Sequence, residues 1–125
     1  MSETLLAAEV YDRLQQAMAS DPDGLCELYR DFLSDARESL SAMRAAFART
    51  EPDTFRQKAH YLKSSTMVLG MRRLAETCGA LEEMGKRQDL LGAGAELKQA
   101  ERLLDAVEGE LSRRLGPGVL PNASA

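Results

Sequence analysis

The apolar residues of this chain recur at spacings of three and four over most of its length, as the buried face of an α-helix requires. The longest series runs from Tyr29 to Phe47 and predicts a helix of several turns. No segment shows the strict alternation typical of a half-buried β-strand. The five series consist of Leu6, Val10, Leu14, Ala17 and Met18; Leu25, Leu28, Tyr29, Phe32, Leu33, Ala36, Leu40, Met43 and Phe47; Phe55, Ala59, Leu62, Thr66 and Leu69; Leu74, Cys78 and Leu81; and Leu97, Ala100, Leu104, Val107, Leu111 and Leu115.

Short breaks separate these series. Asp21 is suited to cap the second helix, with Pro22 at its first position. Thr50 with Asp53 resembles a capping box that starts the third helix, and Gly70 suits the end of that helix. Four long amphipathic helices with short connections predict an all-α, up-down-up-down four-helix bundle, with the short first helix covering one end.

We predict one domain over residues 1–115 and a flexible tail over residues 116–125, where glycine and proline end the last helix. The net charge of -4 argues against a nucleic-acid partner. No stretch is apolar enough to span a membrane, and the first residues lack the pattern of a secretory signal, so we expect a cytoplasmic protein. The single histidine and the spacing of Cys26 and Cys78 fit no zinc site, so we expect no resident metal.

His60 is the single histidine, and its position on the third helix predicts an exposed side chain. At about 3.6 residues per turn it lies roughly 140 degrees from the middle of the apolar arc. Lys63 can place an ammonium beside a group on the ring, Gln57 offers a neutral donor, and the small Ser64 leaves space for a partner. A surface histidine without chemistry remains the alternative interpretation.

The segment from His60 to Gly70 reads His, any residue, Leu, Lys, a small residue, Ser, then Leu-Gly. Leu74, Cys78, Leu81 and Glu82 follow in register. This pattern, which extends from Arg56 to Lys86, resembles the active segment of histidine-containing phosphotransfer domains.

The resemblance implies that His60 is the phosphorylated residue and that Lys63 stabilises the phosphoryl group. Ser64 stands where the family commonly has glycine. Glu82 stands where some members carry a phosphate-contacting glutamine, and we assign this acid no role in phosphate binding. Lys86, one turn later, is a candidate replacement for that contact. The expected partner-docking residues are Arg56, Tyr61, Ser64, Met67, Leu14 and Met18.

The expected function is that of a phosphocarrier in a two-component phosphorelay rather than an ATP-dependent kinase, since no glycine-rich nucleotide loop is present. His60 would accept a phosphoryl group from the aspartate of a response regulator receiver domain and pass it to another receiver. A hybrid sensor histidine kinase is a further expected partner. The receiver would supply Mg²⁺, so this chain needs no cofactor, and four complementary helices predict a monomer.

Three alternatives differ in class. The dimerisation region of a sensor kinase usually has an acid directly after the histidine, where this chain has Tyr61. A scaffold or regulatory interaction protein built as a helical bundle would tolerate replacement of His60. A hydrolase would need an acid–base pair or metal site around His60, and the sequence offers none.

Overall fold

The apolar series fold into five helices in a computed structural model that describes residues 5–116. The four long helices pack one against the next in sequence. The first of these four also packs against the last, which closes the ring of an up-down-up-down bundle. The elements are α1 (Ala8–Ala17), α2 (Pro22–Arg49), α3 (Pro52–Val68), α4 (Arg72–Lys86) and α5 (Ala93–Leu115). Of the tail predicted over residues 116–125, residues 117–125 lie outside the described residues.

The start of α2 follows the sequence prediction. Asp21 accepts a hydrogen bond from the backbone N–H of Gly24 at 3.0 Å, and Pro22 is the first helical residue. This contact satisfies one of the backbone donors that a helix leaves unpaired at its N-terminus.

The capping box predicted at Thr50 and Asp53 is wrong. Thr50 ends α2 in the left-handed region with φ 56°, and Glu51 precedes α3 without a side-chain cap. The connection is so short that Thr50 must close one helix before the next begins. The N–H of Glu51 therefore donates to the carbonyl of Ala46 at 2.9 Å, which is the bonding pattern of a helix C-terminus.

The core lies between the four long helices and consists mainly of leucine and alanine side chains. The predicted apolar series of α2 to α5 are buried with few exceptions, whereas in the first series only Leu6 is buried and Ala17 is exposed. The stripe of α2 is narrower than expected at its start, because Leu28 is 37% exposed at the edge of the α2–α3 contact. Phe47 and Leu115 are half-buried at helix ends.

The short helix α1 covers one end of the bundle, as predicted. The N–H of Ala7 donates to the carbonyl of Gly70 at 2.9 Å. Gly70 has φ +73°, and a Cβ there would lie 2.9 Å from Val10, so the close approach of α1 favours glycine. Tyr11 stacks on Tyr29 with ring centroids 6.0 Å apart. Within the described residues, no helix has the length and apolar character needed to cross a bilayer.

Two helical glycines, Gly85 in the α3–α4 contact and Gly109 on α5, should respond in opposite ways to replacement by alanine. A Cβ on Gly85 would lie 2.9 Å from the Cα of Arg56, whereas a Cβ on Gly109 would meet nothing within 4 Å. We expect Gly85→Ala to destabilise the fold by about 1–3 kcal/mol through overpacking. Gly109→Ala should stabilise it by about 0.5–1 kcal/mol, because alanine is the better helix former.

Urea unfolding followed by circular dichroism measures both changes in the free energy of unfolding. Equal effects of the two substitutions would contradict the close α3–α4 approach at Gly85.

Candidate functional site

His60 projects from α3 and shares a carboxylate with a lysine of the same helix. Its Nδ1 lies 2.8 Å from Oε2 of Glu82, a residue of α4. Nζ of Lys63 lies 2.7 Å from the other oxygen, Oε1. The Glu82 side chain is 7% exposed and the His60 side chain 58% exposed. One buried acid therefore binds both the exposed imidazole and the ammonium group.

The close packing of α3 on α4 brings these side chains together. Gly79 and Gly85 flank Glu82 at three residues on either side. A Cβ on Gly79 would lie 3.6 Å from Cδ of Lys63, and Gly85 packs on the backbone of Arg56. The two small residues let α3 approach closely enough for a short acidic side chain to reach both basic groups.

Burial alone would raise the pKa of Glu82, because a carboxylate loses water there. The hydrogen bonds from Lys63 and His60 favour the charged form and hold its pKa below the ordinary value of 4.5. Glu82 is therefore ionised at neutral pH. An ionised carboxylate only accepts hydrogen bonds, so Nδ1 of a neutral His60 carries the proton and donates to Glu82. Nε2 is then the nitrogen with the available lone pair.

The predicted exposure of His60 is confirmed, and the surface around it is open. Ser64 is exposed one turn beyond His60, and Met67 is 62% exposed. Arg56 is half-buried, and its guanidinium pairs with Asp53 at 3.3 Å rather than facing the ring.

Two further polar residues of the sequence prediction lie away from the imidazole. Gln57 is exposed and lines a hollow toward α2 together with Asp35 and Glu38. Lys86 is exposed one turn beyond Glu82. Among the described residues, neither forms a hydrogen bond or ion pair with the site. Their predicted roles as hydrogen-bond donors to the phosphoryl group therefore remain predictions.

The predicted docking residues fall on different sides of His60. Tyr61 is 54% exposed and lines a groove between α2 and α3. Met67 lines a separate hollow between α3 and α4, where Val10 is the contributing residue of α1. Met18 lies at the end of the bundle beside Leu115, and Leu14 is half-buried against the core. The structure thus does not group Leu14 and Met18 with the residues around the imidazole.

Glu82 is the residue of this cluster to which the sequence analysis assigned no role. A sequence signal for it exists, because Glu82 continues the buried stripe of Cys78 and Leu81 at helical spacing. An acid in such a stripe needs a partner across the interface, and the histidine and lysine of α3 supply it. Over residues 5–116, the structure shows no group of three or more histidine, cysteine or acidic side chains able to hold a metal ion.

Comparison with known proteins gives one family and one solved structure. Residues 27–111 match the family described as the Hpt domain. The structure is similar to histidine-containing phosphotransfer protein B from Pseudomonas aeruginosa PAO1, with a TM-score of 0.80 and 28% identity. The alignment covers 89% of this chain and 94% of that protein. A search of curated proteins found no significant match.

The lowered pKa of Glu82 predicts a pH-dependent contribution to stability. A carboxyl group with a depressed pKa in the folded state stabilises the fold above its unfolded pKa, and this contribution is lost as pH falls through the folded value. Glu82→Gln should therefore lower the free energy of unfolding at pH 7, on the order of 1 kcal/mol. The difference from the unsubstituted protein should shrink as the pH falls below about 4.5.

Urea unfolding at a series of pH values measures this difference. Glu83→Gln is the matched control, because Glu83 is an exposed neighbour in a 3.7 Å pair with Arg87 and should change stability little. A gap between Glu82→Gln and the unsubstituted protein that is equally large at pH 7 and pH 3 would contradict an ionised, bridging Glu82.

Proposed function

The chain belongs to the Hpt domain family and acts in histidine phosphotransfer within a phosphorelay, and from this premise we propose that His60 is the residue that carries the phosphoryl group. The observation that carries the proposal is the short contact between Nδ1 of His60 and the buried carboxylate of Glu82. It leaves Nε2 of a half-exposed ring as the nucleophile. Because His60 is the single histidine of the chain, no other residue competes for the role.

Acceptance of the phosphoryl group is an in-line displacement at phosphorus. Nε2 forms a bond to phosphorus while the bond from phosphorus to the carboxylate oxygen of the partner's aspartate breaks, and that carboxylate leaves. The ring becomes positively charged as the N–P bond forms. Glu82 lies against the Nδ1–H and stabilises this charge without a proton transfer. Donation to the next partner is the same step in reverse.

Lys63 is the proposed electrostatic partner of the phosphoryl oxygens. An ammonium group has three hydrogens, and the contact with Oε1 of Glu82 uses one of them. The remaining donors are available to a group on the neighbouring imidazole. The Lys63 side chain is 31% exposed, so a docked partner would exclude much of the water that weakens this attraction.

We assign the chain the role of a carrier between response regulator receiver domains, with a hybrid sensor histidine kinase as a further donor. The receiver supplies the Mg²⁺ that neutralises the phosphoryl oxygens, so the chain itself uses no cofactor. The ring of four mutually packed helices supports a monomer, because the helices bury a common core within the described chain. We place this transfer in the cytoplasm, where receiver domains act.

His60→Gln should abolish acceptance of the phosphoryl group and leave the fold intact. The 58% exposure of the side chain means that little packing is lost, although the hydrogen bond to Glu82 changes. Incubation with a phosphorylated receiver domain, followed by detection of acid-labile label, measures acceptance. Circular dichroism is the control for folding. Label retained on folded His60→Gln protein would show that another residue is the acceptor.

Lys63→Ala should slow transfer roughly tenfold or more, since one charge-assisted hydrogen bond to phosphate contributes about 1.5–3 kcal/mol. Rapid-quench measurement of transfer from the same phosphorylated receiver tests this expectation. Lys98→Ala, which removes an exposed lysine of α5, is the matched control and should transfer at the unaltered rate. Equal transfer rates for the two variants would show that Lys63 pairs with Glu82 but does not stabilise the phosphoryl group during transfer.

A further inference from the structure

The two sides of His60 differ in how a protein can approach its reactive nitrogen. On the α4 side, Glu82 contacts Nδ1 and Lys63 contacts Glu82, so this approach meets the non-reactive edge of the ring. On the α2 side, the chain offers exposed Ser64 and then Tyr61. A partner that must reach Nε2 therefore has its unobstructed approach over α3 from the α2 side.

An exposed apolar groove lies on that side, between α2 and α3. Three of the five exposed large apolar residues of the described chain line it: Leu28 at 37%, Tyr61 at 54% and Val68 at 76% exposure. Buried Phe32 and Leu69 form part of its floor. Such a concentration of exposed apolar side chains on a small domain is typical of a surface that contacts another protein.

The α2 edge of this groove is acidic. Asp31 and Asp35 line the groove itself, and Asp35 continues with Glu38 into the adjoining hollow beside Tyr61. Their spacings of four and three place them along one side of α2, and all three are exposed. Within residues 5–116, none of these carboxylates forms an ion pair. Lys58 lines the same hollow but lies outside ion-pair distance.

These carboxylates differ from most acids that face a neighbouring helix in this bundle. Glu101 pairs with Arg44 at 2.9 Å, and Glu108 pairs with Arg37 at 2.6 Å. Charge pairing across helices thus serves the fold on the α2–α5 side. The acidic stripe of Asp31, Asp35 and Glu38 has no such structural partner, and its charge is available to a second protein.

We propose that the acidic stripe of α2 selects, among receiver domains, those whose apolar contact surface is flanked by lysine or arginine. This inference rests on the proposed role of His60 and adds the property that distinguishes one receiver from another. The apolar groove supplies the contact common to all receivers. The stripe raises the association rate for a basic rim and lowers it for an acidic one, because charges at the edge of an interface act mainly on encounter.

The experiment compares two purified receiver domains, each phosphorylated with phosphoramidate. One carries lysine or arginine at the edge of its apolar contact surface, and the other carries acids there. The test variant is Asp35→Asn with Glu38→Gln in the full chain. The matched control is Asp12→Asn with Glu51→Gln, which removes the same two charges from exposed positions away from the groove and from Lys63. Transfer rates are measured at low and at physiological salt.

The test variant should lose roughly tenfold in transfer rate from the basic-rimmed receiver at low salt, and the loss should shrink with added salt. Its rate with the acid-rimmed receiver should rise. The control variant should change neither rate. Val68→Ser should slow transfer from both receivers, whereas Leu91→Ser, which removes a residue 89% exposed outside the groove, should not.

Equal effects of the test and control variants, or a charge effect insensitive to salt, would overturn the inference. So would sedimentation showing a dimer that Val68→Ser dissociates, because the groove would then belong to a second copy of this chain. Direct labelling of His60 with phosphoramidate separates this failure from that of the proposed function. If His60 accepts the label and charge does not matter, only the selection is wrong. If His60 is never labelled, the proposed function itself fails.

Discussion

The carboxylate of Glu82 joins the imidazole of His60 to the ammonium of Lys63 across the contact between α3 and α4, and the rest of the site depends on this bridge. A buried acid without partners would be destabilising, and the two basic groups lower that cost by hydrogen bonding to the ionised carboxylate. The bridge also makes the nitrogens of the ring unequal. A neutral ring keeps its proton on Nδ1, against the carboxylate, and leaves the lone pair of Nε2 available.

The direction of approach to the site follows from the same bridge. Because Glu82 of α4 contacts the Nδ1 edge of the ring, the proposed partner reaches Nε2 from the opposite side, where α2 and α3 form an apolar groove with an acidic edge. Two different helix contacts of the bundle therefore have different roles in this proposal. The α3–α4 contact orients the reactive group, and the α2–α3 contact presents a surface to other proteins.

The helices were predictable wherever local chemistry decides the outcome. Asp21 and Pro22 begin α2 as expected, since a capping side chain and a fixed φ act over a single turn. Thr50 was predicted to start α3 but ends α2. The residue type is found at both ends of helices, and here the short connection between α2 and α3 decides its position. Leu28 fits the apolar stripe of α2 but is exposed, because its burial depends on how far α3 extends beside it.

Periodicity alone determined that His60 is exposed on an amphipathic helix, because a residue's angle around a helix depends only on its position along the chain. The positions of Lys63 and Ser64 relative to His60 follow from the same rule. The role of Glu82 could not be obtained in this way, because it lies 22 residues from His60 in sequence and reaches it only where α4 packs on α3. The apolar groove likewise joins residues of two helices, α2 and α3. Spacing along one helix determines which residues share a face, whereas contacts between helices are decided by packing, which no single helix contains.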